Sequence, residues 1–296
     1  MPVRRAGRPP AEILALFDAE RREDRLPEPG VRYERAGPVI RAIGAWNAVV
    51  SADLAAENAD AFIAEQVAFF RSQSPGRGDA GAADHPSVAR QTGVIEWKVY
   101  GYDLPPDLGS RLAAAGFEPD ETETLVIFDL ADDLREDPHP AAAGATAVEV
   151  RRVTDMAGVA EAAETARIAF RRDEHWQAAR TQQYQQRLTD PTLGLYVAYV
   201  DGRPVASARA EFPAQRSFVG LWGGGTIPEY RGRGIYRALV RARADDARRR
   251  GYPYLRVDAR ETSRPILERL GFLPLTSIVE WRFLLPAGPR VANACR

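Results

Sequence analysis

The second half of the chain is read most directly from its pattern of apolar and polar positions. Val148 to Val153 alternates with the two-residue period of a half-buried strand, and Asp155 to Phe170 and His175 to Leu188 change to helical character. Leu193 to Val200 and Pro204 to Phe212 return to strand and are joined at Asp201-Gly202, a dipeptide suited to a tight hairpin turn. Phe218 to Ile227 is a further strand, interrupted by Gly223-Gly224-Gly225. Ile235, Ala238, Leu239 and Ala242 recur at the i, i+3, i+4, i+7 spacing of a helix with one buried face. Arg248-Arg249-Arg250-Gly251 ends that helix, with cations in the last turn and glycine just after it. A strand over Tyr254–Asp258, a short helix from Thr262-Ser263 to Gly271 with Pro265 in its first turn, and a strand over Ile278–Leu285 complete the order β-α-α-β-β-β-α-β-α-β.

The first half repeats part of this pattern. Leu112-Ala-Ala-Ala-Gly116-Phe117-Glu-Pro119 corresponds to Leu267-Glu-Arg-Leu-Gly271-Phe272-Leu-Pro274 at an offset of 155 residues, and Phe128 falls opposite Phe283 at the same offset. Strand-like runs precede both units, Glu96–Tyr100 and Tyr254–Asp258. A duplicated domain is the better reading. The acidic, proline-bearing stretch Asp132–Gly144 marks the boundary, which predicts domains over 1–135 and 146–289. Ser72–Pro86, rich in Gly, Ser and Pro, reads as a mobile loop.

Composition narrows the function classes. The 296 residues carry a formal net charge of -1, with 45 % hydrophobic and 27 % charged residues, as in an ordinary globular protein of about two domains. Neither nucleic acid nor an anionic membrane is attracted across the whole surface. The single cysteine, Cys295, excludes a disulfide framework within the chain and a cysteine-rich metal site. His85 and His139 fall in the expected linkers, and no metal-ligand spacing appears. Neither a signal peptide nor an apolar run near the ~20 residues of a membrane span is evident, so a cytoplasmic location is expected. Lys98 is the only lysine.

The chemistry concentrates at Arg231-Gly232-Arg233-Gly234-Ile235-Tyr236, between an apolar strand and an amphipathic helix. A helix N-terminus offers unpaired N–H groups and partial positive charge to phosphates. Gly232 and Gly234 allow close backbone approach, and Arg231 and Arg233 add cations suited to bidentate phosphate contacts. The Gly-Lys-Ser/Thr ending of a nucleotide-phosphate loop is absent, and the three-glycine spacing of a dinucleotide fingerprint fails. The loop alone reads equally as a pyrophosphate cradle or as a basic surface turn.

Its context separates the two. The run from Thr226 to Val240, with an Arg/Gln-x-x-Gly-x-Gly/Ala pattern, resembles the signature of the GNAT N-acetyltransferase superfamily, and Ile-Leu-Glu-Arg-Leu-Gly-Phe272 resembles the family's second motif. The resemblance covers about Val148 to Leu285, and the first half more faintly. It implies two tandem GNAT-like domains of mixed α/β class, each a mostly antiparallel central sheet flanked by helices, the first a degenerate copy. It also implies that the N–H groups of Arg231, Gly232, Arg233, Gly234, Ile235 and Tyr236 hold the pyrophosphate of acetyl-CoA as co-substrate. Backbone at Thr226 and Ile227 is then expected to pair with the pantetheine arm, and an amide near Ile227 to stabilise the oxyanion. The glycine run reads as a bulge that splays two strands to admit the acyl-pantetheine.

Three positions depart from the family pattern. Tyr236 stands where Gly or Ala is usual, Leu267 where many members place a tyrosine acid, and Arg260 where an asparagine is common. The implied reaction is attack by an amine on the thioester carbonyl, with Glu211 and Asp258 as candidate bases and a small-molecule amine as acceptor. His175, Trp176 and Tyr184 lie in the helical region that forms the acceptor lid in this family. The first half has no equivalent loop; Gly76-Arg77-Gly78 follows its helix rather than preceding it. A non-catalytic acyl-CoA-binding sensor and a protein N-acetyltransferase are the competing readings.

Overall fold

The computed structural model describes residues 8–23, 30–44, 46–73, 83–85, 88–90, 93–135 and 147–285. In chain order the elements are α1 (Pro10–Arg22), β1 (Val31–Ala36), β2 (Val39–Gly44), β3 (Asn47–Ala52), α2 (Ala59–Gln73), the hairpin strands β4 (Ala83–His85) and β5 (Val88–Arg90), β6 (Val94–Tyr100), α3 (Leu108–Ala114), β7 (Glu118–Pro119) and β8 (Glu123–Asp129). They continue with β9 (Val148–Arg152), α4 (Met156–Ala169), α5 (Glu174–Gln186), β10 (Leu193–Val200), β11 (Arg203–Glu211), β12 (Phe218–Thr226), a single 3-10 turn at Pro228–Tyr230, α6 (Ile235–Arg249), β13 (Tyr254–Ala259), α7 (Arg264–Leu270) and β14 (Leu273–Leu284). The class is mixed α/β with mostly antiparallel pairing, as expected. Most of Ser72–Pro86 and of Asp132–Gly144, together with Gly76-Arg77-Gly78, His139 and Cys295, lies outside the described residues.

The local chemistry read from the second half is realised. Asp155 caps α4 by accepting from Gly158 N–H at 2.8 Å, and Asp173 caps α5 by accepting from Trp176 N–H at 2.8 Å. Asp201 and Gly202 both have positive φ, 52° and 73°, as a two-residue hairpin turn of the favoured hand requires.

Two compact units result, and neither is a contiguous half of the sequence. Unit 1 combines Met1–Glu20 with Thr124–Leu275; unit 2 combines Arg21–Glu123 with Thr276–Arg296. In unit 1 the strand order is β9-β10-β11-β12-β13-β8, with β12 and β13 the one parallel pair. In unit 2 it is β1-β2-β3-β6-β14, with β3 and β6 parallel. The closing strands are exchanged: β8, from the first half, pairs with β13, and β14, from the end of the chain, pairs with β6.

The repeat survives in packing detail. Phe117 N–H donates to the Leu112 carbonyl, and Phe272 N–H to the Leu267 carbonyl, both at 3.0 Å. Gly116 and Gly271 follow their helices at φ 93° and 105°, where a side chain would be strained. Each lies against the exchanged phenylalanine, Gly116 against Phe283 and Gly271 against Phe128. The unit 1 core joins Val126 and Phe128 to Leu239, Val240, Leu255, Leu267 and Phe272. The unit 2 core joins Phe283 to Trp97, Leu112 and Phe117.

The α6 face differs from its expected outline. Ile235, Leu239, Arg243 and Ala247 form its buried line, flanked by Val240 and Ala244, while Ala238 and Ala242 are half-buried. An alanine carries too little surface to settle which side of a helix turns inward.

Candidate acyl-donor and acceptor site

β12 and β13 pair only over Phe218–Gly220 and Tyr254–Arg256. Beyond those residues β12 stays with β11 through a bulge between Ser207 and Arg209, with Gly223 at φ 57°, and β13 stays with β8 as far as Ala259. The two strands therefore part after Gly220 and Arg256. This is the splay expected from the glycine run. Its cause is that the bulge and twist bend β12 one way while β8 holds β13 the other.

The glycines of the run serve different neighbours. A Cβ at Gly224 would meet the Tyr236 ring at 2.8 Å, so Tyr236 packs from α6 against the bulge. A Cβ at Gly225 would meet Phe170 and Ala169 at 2.8 and 2.9 Å, so the end of α4 packs there. Gly225→Ala is expected to destabilise by about 1–3 kcal/mol, as overpacking does. It would be read as a lowered urea midpoint with an unchanged slope; an unchanged midpoint would contradict the close approach.

At the end of β12, Ile227 N–H donates to the Val205 carbonyl at 2.9 Å. That amide is committed to β11, so it cannot serve as the expected oxyanion donor. Hydrogen-bonding direction alternates along an antiparallel strand, so Thr226 turns its N–H and C=O toward the opening instead. The Thr226 carbonyl is held by Arg231 Nε at 3.1 Å, and Arg231 Nη2 donates to the Ala169 carbonyl at 3.1 Å. Arg231 thus ties α4 to the end of β12. Arg233 donates to the Glu229 carbonyl at 3.1 Å and stacks over Tyr230. The two cations expected to contact phosphate are in large part bracing groups.

The loop amides are arranged as a cradle requires. Gly232 and Gly234 have φ 75° and 78°, and nothing lies within 4 Å of a Cβ built at Gly232. The first helical bond of α6 runs from Ala238 N–H to the Gly234 carbonyl. The N–H groups of Gly232, Arg233, Gly234, Ile235 and Tyr236 meet no backbone acceptor among the described residues. They gather at a helix N-terminus beside the opening between β12 and β13, where backbone donors and helix dipole both favour an anion.

Behind the bulge lies a group the sequence reading missed. Arg243 is 1 % exposed; its Nε donates to the Leu239 carbonyl at 2.9 Å and its Nη1 to the Arg209 carbonyl at 3.1 Å. Burial pushes its pKa down from the ordinary value, opposed by the Tyr236 and Tyr196 hydroxyls. Burial likewise raises the Tyr236 pKa, opposed by Arg243. Its signal was the seven-residue interval from Tyr236, two turns along one helix face.

The candidate bases are separated. Asp258 lies two residues past the last position of β13 paired with β12, at the opening, with its side chain 1 % exposed and Oδ1 3.7 Å from Arg256 Nη1. Glu211 is in register with Gly220, at the closed end of β12, six residues and roughly 20 Å of strand from Thr226. It sits between Arg209 and Arg187, at 3.7 and 3.9 Å. Leu267 is fully buried in the apolar core. In α5, Arg180 stacks between Trp176 and Tyr184, which packs against β10, and His175 is exposed. Arg260 forms the turn before α7, its carbonyl accepting from Ser263 and Arg264 N–H. Among the described residues no group of three or more His, Cys, Asp or Glu is placed to hold a metal, and no helix is long and apolar enough to cross a membrane.

Residues 159–272, which contain the splayed strands and the cradle, match the profile of the Acetyltransferase (GNAT) family. This segment is a GNAT domain. Solved structures resemble the whole chain as well. A GCN5-related N-acetyltransferase from Kribbella flavida is 17 % identical, with 96 % of each chain covered and a TM-score of 0.58. A tandem GNAT protein from the clavulanic acid biosynthesis pathway is 16 % identical, with 88 % of this chain and 85 % of that one covered and a TM-score of 0.58. A conserved protein of unknown function from Staphylococcus epidermidis ATCC 12228 is 12 % identical over 86 % and 95 %, with a TM-score of 0.61. At these identities the likeness is one of fold, and it extends the GNAT architecture to a tandem arrangement. No curated protein sequence matches the chain significantly.

Proposed function

We propose that the GNAT domain is an acetyl-CoA-dependent N-acetyltransferase acting on a small-molecule amine in the cytoplasm. The observation that carries this reading is the row of unengaged amides from Gly232 to Tyr236 at the mouth of the β12–β13 opening. The pyrophosphate would lie on those amides and the pantetheine in the opening, against the outward-facing backbone of Thr226. The amine lone pair attacks the thioester carbonyl, the C–N bond forms and the C–S bond breaks. The nitrogen proton passes to Asp258 or to water, and the thiolate departs. With a thiol pKa near ~8.5 the thiolate is a fair leaving group without a tyrosine acid, which suits an apolar residue at 267.

Unit 2 is proposed as a degenerate copy without acyl-CoA binding. The chain before α2 contains no glycine pair, and among the described residues unit 2 has no counterpart of α4 and α5. Buried Leu267 also keeps a second reading open, that of an acyl-CoA sensor without turnover. Isothermal titration with acetyl-CoA, followed by thiol release with an amine panel, tests both. Binding and turnover are expected, binding without turnover on any amine selects the sensor, and absence of binding overturns both.

A further inference from the structure

The sheet face of unit 1 that carries Asp258 also carries two arginines whose hydrogen-bonding capacity the fold leaves unused. Arg209 of β11 is in register with Trp222 of β12, and Gly220 of β12 with Arg256 of β13; residues in register share a face. The Trp222 indole lies along its own strand over Gly220, where a Cβ would stand 2.5 Å from Nε1. Arg256 Cζ sits 4.9 Å from the centre of that ring, and Arg209 Nη1 comes within 3.8 Å of a Cβ position at Gly223. An indole floor is therefore flanked by guanidinium groups from both neighbouring strands.

Neither guanidinium donates a hydrogen bond among the described residues. Arg209 is 6 % exposed, and its Nε faces Glu211 at 3.7 Å; Arg256 faces Asp258 at 3.7 Å. Those separations hold ion pairs but exceed hydrogen-bond length. Each guanidinium carries five N–H donors in a rigid fork, and those donors reach solvent, open to an incoming ligand.

We propose that Arg209 and Arg256 bind a carboxylate on the amine acceptor, so that the acceptor is an amino acid. This rests on the reading of the domain as an acetyl-CoA-dependent N-acetyltransferase. A carboxylate accepts two parallel N–H bonds from one guanidinium, the match the free donors offer. Trp222 supports the carbon skeleton between the charged ends. Asp258, next on the same face and at the opening, receives the amine. Arg256 and Asp258 are neighbours on this face of β13, a cation beside an anion, which suits a zwitterion. The carboxylate takes no part in bond making. Its effect is on capture and orientation of the acceptor.

The test is thiol release from acetyl-CoA by the full chain, with glycine, alanine, β-alanine and phenylalanine compared with their primary amides. The acids are expected to exceed the amides by about 10–100-fold in kcat/KM, the range for charge-assisted hydrogen bonds. In Arg256→Gln that preference disappears while acetyl-CoA affinity by titration is retained. Arg209→Gln is expected to behave alike, and Arg256→Gln, at a more exposed site, decides the matter should Arg209→Gln fail to fold. An active wild type without the preference, or a preference unchanged in Arg256→Gln, overturns the assignment. So does an Arg256-dependent preference for succinyl-CoA over acetyl-CoA, which would give the carboxylate to the acyl chain. A wild type that binds no acetyl-CoA instead sinks the parent reading, and this one with it.

Discussion

Gly234→Glu is expected to lower acetyl-CoA affinity by at least about 100-fold in isothermal titration, the equivalent of two charge-assisted hydrogen bonds. Gly234 is the residue before the first turn of α6 and holds φ 78°. Any side chain there strains the backbone by roughly 1–2 kcal/mol. Only the Arg237 guanidinium lies within 4 Å of a Cβ at this position, at 3.8 Å, so the substitution fits sterically and the helix is expected to persist. The new carboxylate lies at the helix N-terminus and takes up the amides the phosphates need. It also repels them. Gly234→Ala carries the strain without the charge and should give a smaller loss. Wild-type affinity in Gly234→Glu would remove the cradle from this loop.

The fragment 146–289 is expected not to fold alone, although it contains the whole GNAT motif. Without β8, strand β13 loses its antiparallel partner from Tyr254 to Ala259, and the core loses Val126 and Phe128. At the other end, Ile278 to Leu284 of β14 lose β6, and Phe283 loses Trp97 and Phe117. Removing one buried phenylalanine side chain typically costs about 3–5 kcal/mol, and domains are stable by only about 5–15 kcal/mol. Circular dichroism and amide dispersion of the fragment should report an unfolded or molten chain, and a fragment that folds cooperatively and binds acetyl-CoA would refute the exchange. As point tests, Phe128→Ala is expected to weaken the GNAT-containing unit although it lies in the first half of the sequence. Phe283→Ala is expected to weaken the other unit although it lies in the second half.

Much of this was legible because it is local. Asp155, Asp173 and the Asp201-Gly202 turn act within a few residues, so their signals survive in one dimension. The cradle was legible for the same reason: two glycines, a preceding strand and a following helix occupy one short window. Arg231 was half legible. Its position in the loop was plain, but its engagement with the Ala169 carbonyl depends on how α4 packs over Gly225. The commitment of the Ile227 amide to Val205 was not legible, because strand register determines which amides face a neighbour and which face the opening.

The sequence by itself determined the element order of the second half, the repeat of helix, Gly-Phe and strand, and the placing of a glycine- and arginine-rich loop, Arg231–Tyr236, between a strand and a helix. Each of these follows from periodicity, caps and backbone freedom over a few residues. Only the tertiary structure decided which strand closes which sheet, because β8 and β14 carry equivalent apolar patterns and either would satisfy either edge. It alone also brought Arg209, Trp222, Arg256 and Asp258 to one face, since they come from three strands and meet only through register. The carboxylate-binding proposal depends on that register.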